Sequence, residues 1–279
     1  MMGKLMKYDL RNMWRSIFPF SIGLFGLTVI ACFVTRYLNN PGFILAQQSN
    51  DAFKRALTTI SIIYMTMFAL GFAAFALLSV VFIIKRYYDN FFTDEGYLTF
   101  TLPLKTSTLL GSKLISAVIA FLAVIIFMGV CMFIFILFGF STHGLIDKEV
   151  LESIGNVLRS LFSEETALTV IILIFTALTQ MIFNIAFFLL CITIGSIITR
   201  KHKILAAVAL YYGISFFLGT VVGILVNSFI LTPLFSDPYF DETPIINSTL
   251  LITMLIYAGG AAAVFLINNR LLAKKLNLN

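Results

Sequence analysis

Few residues in this chain have both the type and the spacing to do chemistry. Glu164 and Glu165 form its most conspicuous acidic pair, an arrangement that general acid–base catalysis can use, but no basic residue or His stands at helical spacing from them. The two histidines, His143 and His202, fall in segments on opposite sides of the apolar stretches. Cys32, Cys131 and Cys191 each lie inside an apolar run, so neither a disulfide framework nor a thiolate metal site is expected, and they read as small core hydrophobes. A His-Glu-x-x-His zinc motif and a Gly-x-Ser-x-Gly nucleophile elbow are missing. The single Gly-Lys, Gly3-Lys4, lacks the upstream glycine and the following hydroxyl residue of a phosphate-binding loop, so no energy source is visible in the chain itself.

The polar groups inside the apolar stretches are mild and clustered. Thr169, Thr176, Gln180 and Asn184 share one helical face of the fourth stretch, and Ser215, Gly219, Gly223 and Asn227 recur every four residues in the fifth. Small residues permit close helix packing and amides form interhelical hydrogen bonds, so the plainer reading is glue within a bundle or dimer. The sharper reading makes Thr176, Gln180, Asn184 and Asn227 the lining of a substrate path. An uncharged, weakly polar lining suits amphipathic or lipid-like cargo better than ions.

Composition dictates the elements that must carry these groups. Of 279 residues, 60% are hydrophobic and 11% charged, with a mean hydropathy of +1.00, whereas charged residues make up about a quarter of a soluble domain. This is an integral membrane protein; a soluble enzyme and a nucleic-acid-binding domain are excluded. Apolar and polar residues do not alternate at period two, which predicts an all-α protein and disfavours an outer-membrane barrel. Stretches long enough to cross a bilayer lie at roughly 17–38, 55–85, 112–140, 167–199, 203–231 and 249–268, six spans in one membrane domain covering 1–279. Their apolar cores contain no Asp, Glu, Lys, Arg or His, which disfavours both membrane enzymology and proton- or sodium-coupled transport. Fourteen of the nineteen Lys and Arg fall on the side that holds both termini, against nine acids on the other, so both termini are expected in the cytoplasm of a cell-membrane protein. The net charge of +6 is a topology signal, and no nucleic-acid partner is expected. Val29-Ile30-Ala31-Cys32 looks like a lipoprotein cleavage box, yet the apolar run continues through Val34, so an uncleaved first span is expected.

The connecting segments carry more pattern. Lys4, Lys7, Arg11 and Arg15 recur at spacings of three or four opposite Met6, Leu10, Met13 and Ile17, which predicts an interfacial helix over 4–16 with Trp14 at headgroup level. Between Asp147 and Phe162, apolar Val150, Leu151, Ile154, Val157, Leu158 and Leu161 lie opposite charged residues, predicting a surface helix on the bilayer or on a neighbouring subunit. Residues 232–248 hold Pro233, Pro238 and Pro244 and are expected to be irregular or made of short broken helices. The connection from Lys85 to Lys113 is the longest on its side; it interleaves aromatics with charges and is punctuated by Gly96 and Pro103. Thr106, Ser107 or Thr108 can cap the helix that follows.

The run from Asp94 to Leu104, followed by Leu109-Leu110-Gly111-Ser112-Lys113-Leu114, resembles the permease subunits of type 2 ABC exporters, which carry an acidic-Gly segment, a Pro and Leu-Leu-x-x-Lys leading into the third span. Gly96-Tyr97-Leu98-Thr99 stands where that family often has Gly-Thr-Leu-Glu, and is closer to the Gly-Tyr-Leu-Thr permeases of Gram-positive bacteria. The likeness covers about 20 residues in motif and nearly the whole chain in topology. It implies a permease subunit that pairs with a second permease copy or a homologous permease and with two ABC ATPase subunits, which bring ATP and Mg; the chain itself would hold no cofactor or metal. By the same resemblance the helix at 4–16 would be an elbow helix. Arg86, Tyr87, Tyr88, Asp89, Phe91, Phe92, Asp94, Glu95, Gly96 and Tyr97 would form the coupling helix between spans two and three and its exit. The expected function is outward movement of an amphipathic or hydrophobic cargo, driven by partner ATPases; the alternative is a non-transporting membrane sensor or assembly factor derived from a permease.

Overall fold

The computed structural model describes residues 2–38, 52–93, 105–140, 148–163, 166–199, 203–226 and 242–275. Among these the chain is all-helical: α1 Met2–Leu38, α2 Ala52–Phe92, α3 Thr106–Gly139, α4 Lys148–Leu161, α5 Ala167–Ile198, α6 Lys203–Val226 and α7 Glu242–Lys275. Five of them, α1, α2, α3, α5 and α7, are long and apolar enough to cross a membrane, while α6 has a shorter apolar stretch, Leu205–Thr220. Large apolar side chains such as Phe33, Phe216 and Leu205 are turned outward, an arrangement that suits lipid and would be insoluble in water. This is a multi-pass membrane protein.

The long helices exceed the bilayer. At 1.5 Å per residue α1 is about 55 Å long and α2 about 60 Å, against a hydrocarbon thickness of roughly 30 Å. Part of the excess in each is a polar end: the basic 4–15 segment of α1 and the Lys85–Phe92 turns of α2. The segment expected as a separate interfacial helix is continuous with the first span, forming one helix of 37 residues that contains Pro19. The helical part of the expected coupling segment, Arg86–Phe92, is likewise the last two turns of α2. Asp94, Glu95, Gly96, Tyr97 and Asn227 lie outside the described residues.

Two compact units divide the chain. The first holds Gly3–Arg86 and Ile119–Arg159. Its core forms where apolar faces of α1, α2 and α3 meet, with Ile17, Leu24, Phe75 and Val124 in one cluster and Ala31, Cys32, Phe68 and Phe135 in another. Polar groups there are satisfied by backbone: the Tyr64 hydroxyl donates to the Leu27 carbonyl at 2.9 Å, and the buried Thr28 hydroxyl to Leu24 at 2.8 Å. The second unit holds Tyr87–Val118 and Ser160–Asn279, and in it α5 packs against α6 and α7. Ala186, Phe187, Leu190, Cys191 and Val264 form its core. Gly260 of α7 allows close approach: a Cβ there would meet the Phe183 ring at 2.9 Å. All three cysteines are buried and free, as their apolar settings predict.

Candidate functional site

Helix α2 ends in a run of charge and aromatics, and the fold uses much of that run internally. In the first unit, Arg86 Nη2 lies 3.4 Å from Asp9 Oδ1, with the Asp9 side chain only 3% exposed. Asp9 is the one acid among the first fifty residues. The pair brings the basic start of α1 beside the basic end of α2, so these two charged ends share one side of the first unit.

In the second unit, Tyr87 and Phe91 are buried at 3% and 2% exposure, their rings 5.0 Å apart, whereas Tyr88, Asp89 and Phe92 are half-buried. Tyr88 stacks on Phe92 at 5.9 Å. Any contribution of Phe91 to a partner surface therefore runs through the packing beneath it, and among the described residues of the segment in this unit the reachable groups are Tyr88, Asp89 and Phe92.

The Tyr87 hydroxyl enters a buried polar ring. It lies 3.2 Å from Thr193 Oγ1 on α5; Asn268 Nδ2 on α7 donates to it at 3.3 Å; and Thr193 Oγ1 donates to Asn268 Oδ1 at 2.8 Å. Three side chains from three helices can thus each donate once and accept once in a closed ring, an arrangement in which hydrogen bonds polarise one another. The next residue, Asn269, accepts from Thr106 Oγ1 at 3.1 Å. Thr106 is thereby used between helices, and the Lys105 carbonyl takes the first amides of α3, from Thr108 and Leu109. Adjacent amides of α7 therefore grip both flanks of the 94–104 connection: Asn268 holds the end of α2, and Asn269 the start of α3. The Leu-Leu-x-x-Lys motif is part of that seat, for Leu109, Leu110 and Lys113 are all buried.

The polar face of α5 divides. Thr176 is 7% exposed and donates to its own helix at Ile172 and across to the Leu250 carbonyl of α7 at 3.2 Å, which is glue within the chain. Gln180 and Asn184 are exposed, and Thr169 is half-buried. On α6, Ser215 is half-buried while Gly219 and Gly223 are exposed.

Sequence reasoning missed Asp9, Thr193 and Asn268. The lone acid in a basic helix was a usable signal for Asp9. Thr193 looks like any threonine in a span, and Asn268 stands where an apolar run meets a basic flank, a common place for an amide. Among the described residues no group of acids, His and Cys could hold a metal ion. Comparison with protein-family models, with curated proteins and with solved structures finds no match to this chain.

Proposed function

We propose that this protein is the membrane-spanning permease subunit of an ATP-driven ABC exporter, with six spans and cytoplasmic termini, working with a second permease copy and two ATPase subunits. The observation that carries the reading is the double grip of Asn268 and Asn269 on the flanks of the 94–104 connection. A permease without its own nucleotide site must receive work through a cytoplasmic surface. A connection held at both flanks by one spanning helix converts a push on the surface into movement of that helix. The charge distribution supports the same side for that surface, since Lys85, Arg86, Lys105 and Lys113 flank it in the sequence and basic residues mark the cytoplasmic face. The resemblance of the Asp94–Leu104 and Leu109–Leu114 runs to exporter permeases supplies the class of partner. The half-buried Tyr88, Asp89 and Phe92, with Asp94, Glu95, Gly96 and Tyr97, then form the docking surface, aromatic anchors with a charged rim. The apolar, ion-free span interiors fit an amphipathic or hydrophobic cargo.

The test is affinity purification of the tagged chain from its native membranes. The reading expects a co-purifying P-loop ATPase whose hydrolysis rate changes when the two are reconstituted together. Well-assembled chain without such a partner, or a partner whose rate is indifferent to it, would remove the transport reading.

A further inference from the structure

We propose that the outward stripe Leu173, Ala177, Gln180 and Asn184 of α5 is the seam at which a second copy of this chain packs within the membrane. The inference deepens the second-copy element of the proposed function and rests on that element alone. Gln180 and Asn184 lie within about 4 Å of the midpoint of α5 along its axis, where a spanning helix is furthest from water. Both side chains are exposed on the single chain. Lipid offers an amide no hydrogen bond, so a group placed there must be met by protein or by water.

The pattern around the amides selects protein. Leu173, Ala177, Gln180 and Asn184 are spaced four, three and four, and all are exposed; this is the 3.5-residue period of a helix–helix seam, with a small residue at its centre to let backbones approach. The other outward positions nearby, Ile171, Ile174 and Phe175, are all large and apolar, suited to lipid. An aqueous path would keep its polar lining unbroken along the stripe, whereas Leu173 and Ala177 stand between these amides and Thr169, the half-buried residue one step further along it. A primary amide both donates and accepts, so it is complementary to itself. A two-fold axis along the membrane normal would set the two copies of α5 parallel, Gln180 facing Gln180 and Asn184 facing Asn184, and a single amide register would be fixed.

Oxidative disulfide crosslinking in native membranes tests this, with the full chain as background because its own cysteines are buried. Leu173→Cys, Gln180→Cys and Asn184→Cys should each give covalent dimers, while Ile171→Cys and Phe175→Cys should remain monomeric. The double variant Gln180→Leu, Asn184→Leu, which keeps an apolar surface and should insert normally, should weaken the dimer about tenfold in a dilution series. Dimers formed equally well at Ile171→Cys and Phe175→Cys, or monomers at every seam position, would overturn the inference. So would thiols at 180 and 184 that react with a water-soluble maleimide and fail to crosslink, the signature of a cargo path. Crosslinking along the seam without any ATPase partner would uphold the seam and remove the transport reading. An ATPase partner bound to a chain whose seam does not crosslink would do the reverse.

Discussion

The two halves of α5 each bury a threonine bonded within the chain, and only one of them also turns amides outward. From Ala186 to Gly195 the helix is mostly buried, and its Thr193 closes a hydrogen-bonded ring with Tyr87 and Asn268 inside the chain. From Leu168 to Asn184 about half of the residues are exposed and only Thr176 is buried, and the two amides face outward. In a bilayer, apolar surface gains little by leaving lipid, so burial alone does not tell a core helix from a peripheral one. The destination of each polar group does. The buried threonines hold this chain together, and the outward amides are the groups proposed to meet a second copy.

The largest effect should come from removing bulk from the inner half. Phe187→Ala empties a site packed by Phe183 and Tyr211 and should cost about 3–5 kcal/mol of stability, whereas Phe175→Ala, on the exposed half, should change it by less than about 0.5 kcal/mol. Thermal unfolding in one detergent measures both; comparable losses would erase the distinction between the halves.

Next is the opposite insult, added volume. Gly260→Ala drives a methyl against the Phe183 ring and should cost about 1–3 kcal/mol, while Gly259→Ala meets nothing within 4 Å and should be neutral or slightly stabilising. The neighbouring pair is its own control. Equal behaviour would mean that α5 and α7 are less closely packed than the ring contact requires.

The ring should show the asymmetry of buried hydrogen bonds. Asn268→Leu takes one partner from each of the Tyr87 and Thr193 hydroxyls, leaving them each other and the Leu189 carbonyl, and should cost about 1–3 kcal/mol; combining it with Tyr87→Phe and Thr193→Val removes the under-partnered groups and should restore part of that loss. Additive losses across the three changes would show that the hydroxyls act separately.

Much of this architecture was legible in the sequence, because hydropathy and charge act on every residue of a span and sum over twenty of them. The six-residue apolar face of α4 and the five long helices emerge from such sums. The fate of a single polar residue does not. Thr169, Thr176, Gln180 and Asn184 share a helical face in the sequence, yet Thr176 reaches the Leu250 carbonyl of α7 while Gln180 and Asn184 stay outside. Which neighbour covers which 40° of a helix is set by residues some 75 positions away. The Tyr87–Thr193–Asn268 ring joins positions separated by 106 and 75 residues, and no local spacing encodes it. The aromatics at the end of α2 read in the sequence as candidates for an interface. That half of them serve the chain's own packing follows only from seeing Tyr87 and Phe91 buried.

The central claim is that α5 uses Thr176 and Thr193 within the chain and presents Gln180 and Asn184 to a partner. Unfolding free energies of Thr193→Val and Asn184→Val, measured on monomeric protein in the same detergent, test it most directly. The account predicts a loss of about 1–2 kcal/mol for Thr193→Val, which breaks the buried ring, and no loss beyond about 0.3 kcal/mol for Asn184→Val, whose amide touches nothing the monomer needs. Equal losses, or the larger loss at Asn184, would contradict it.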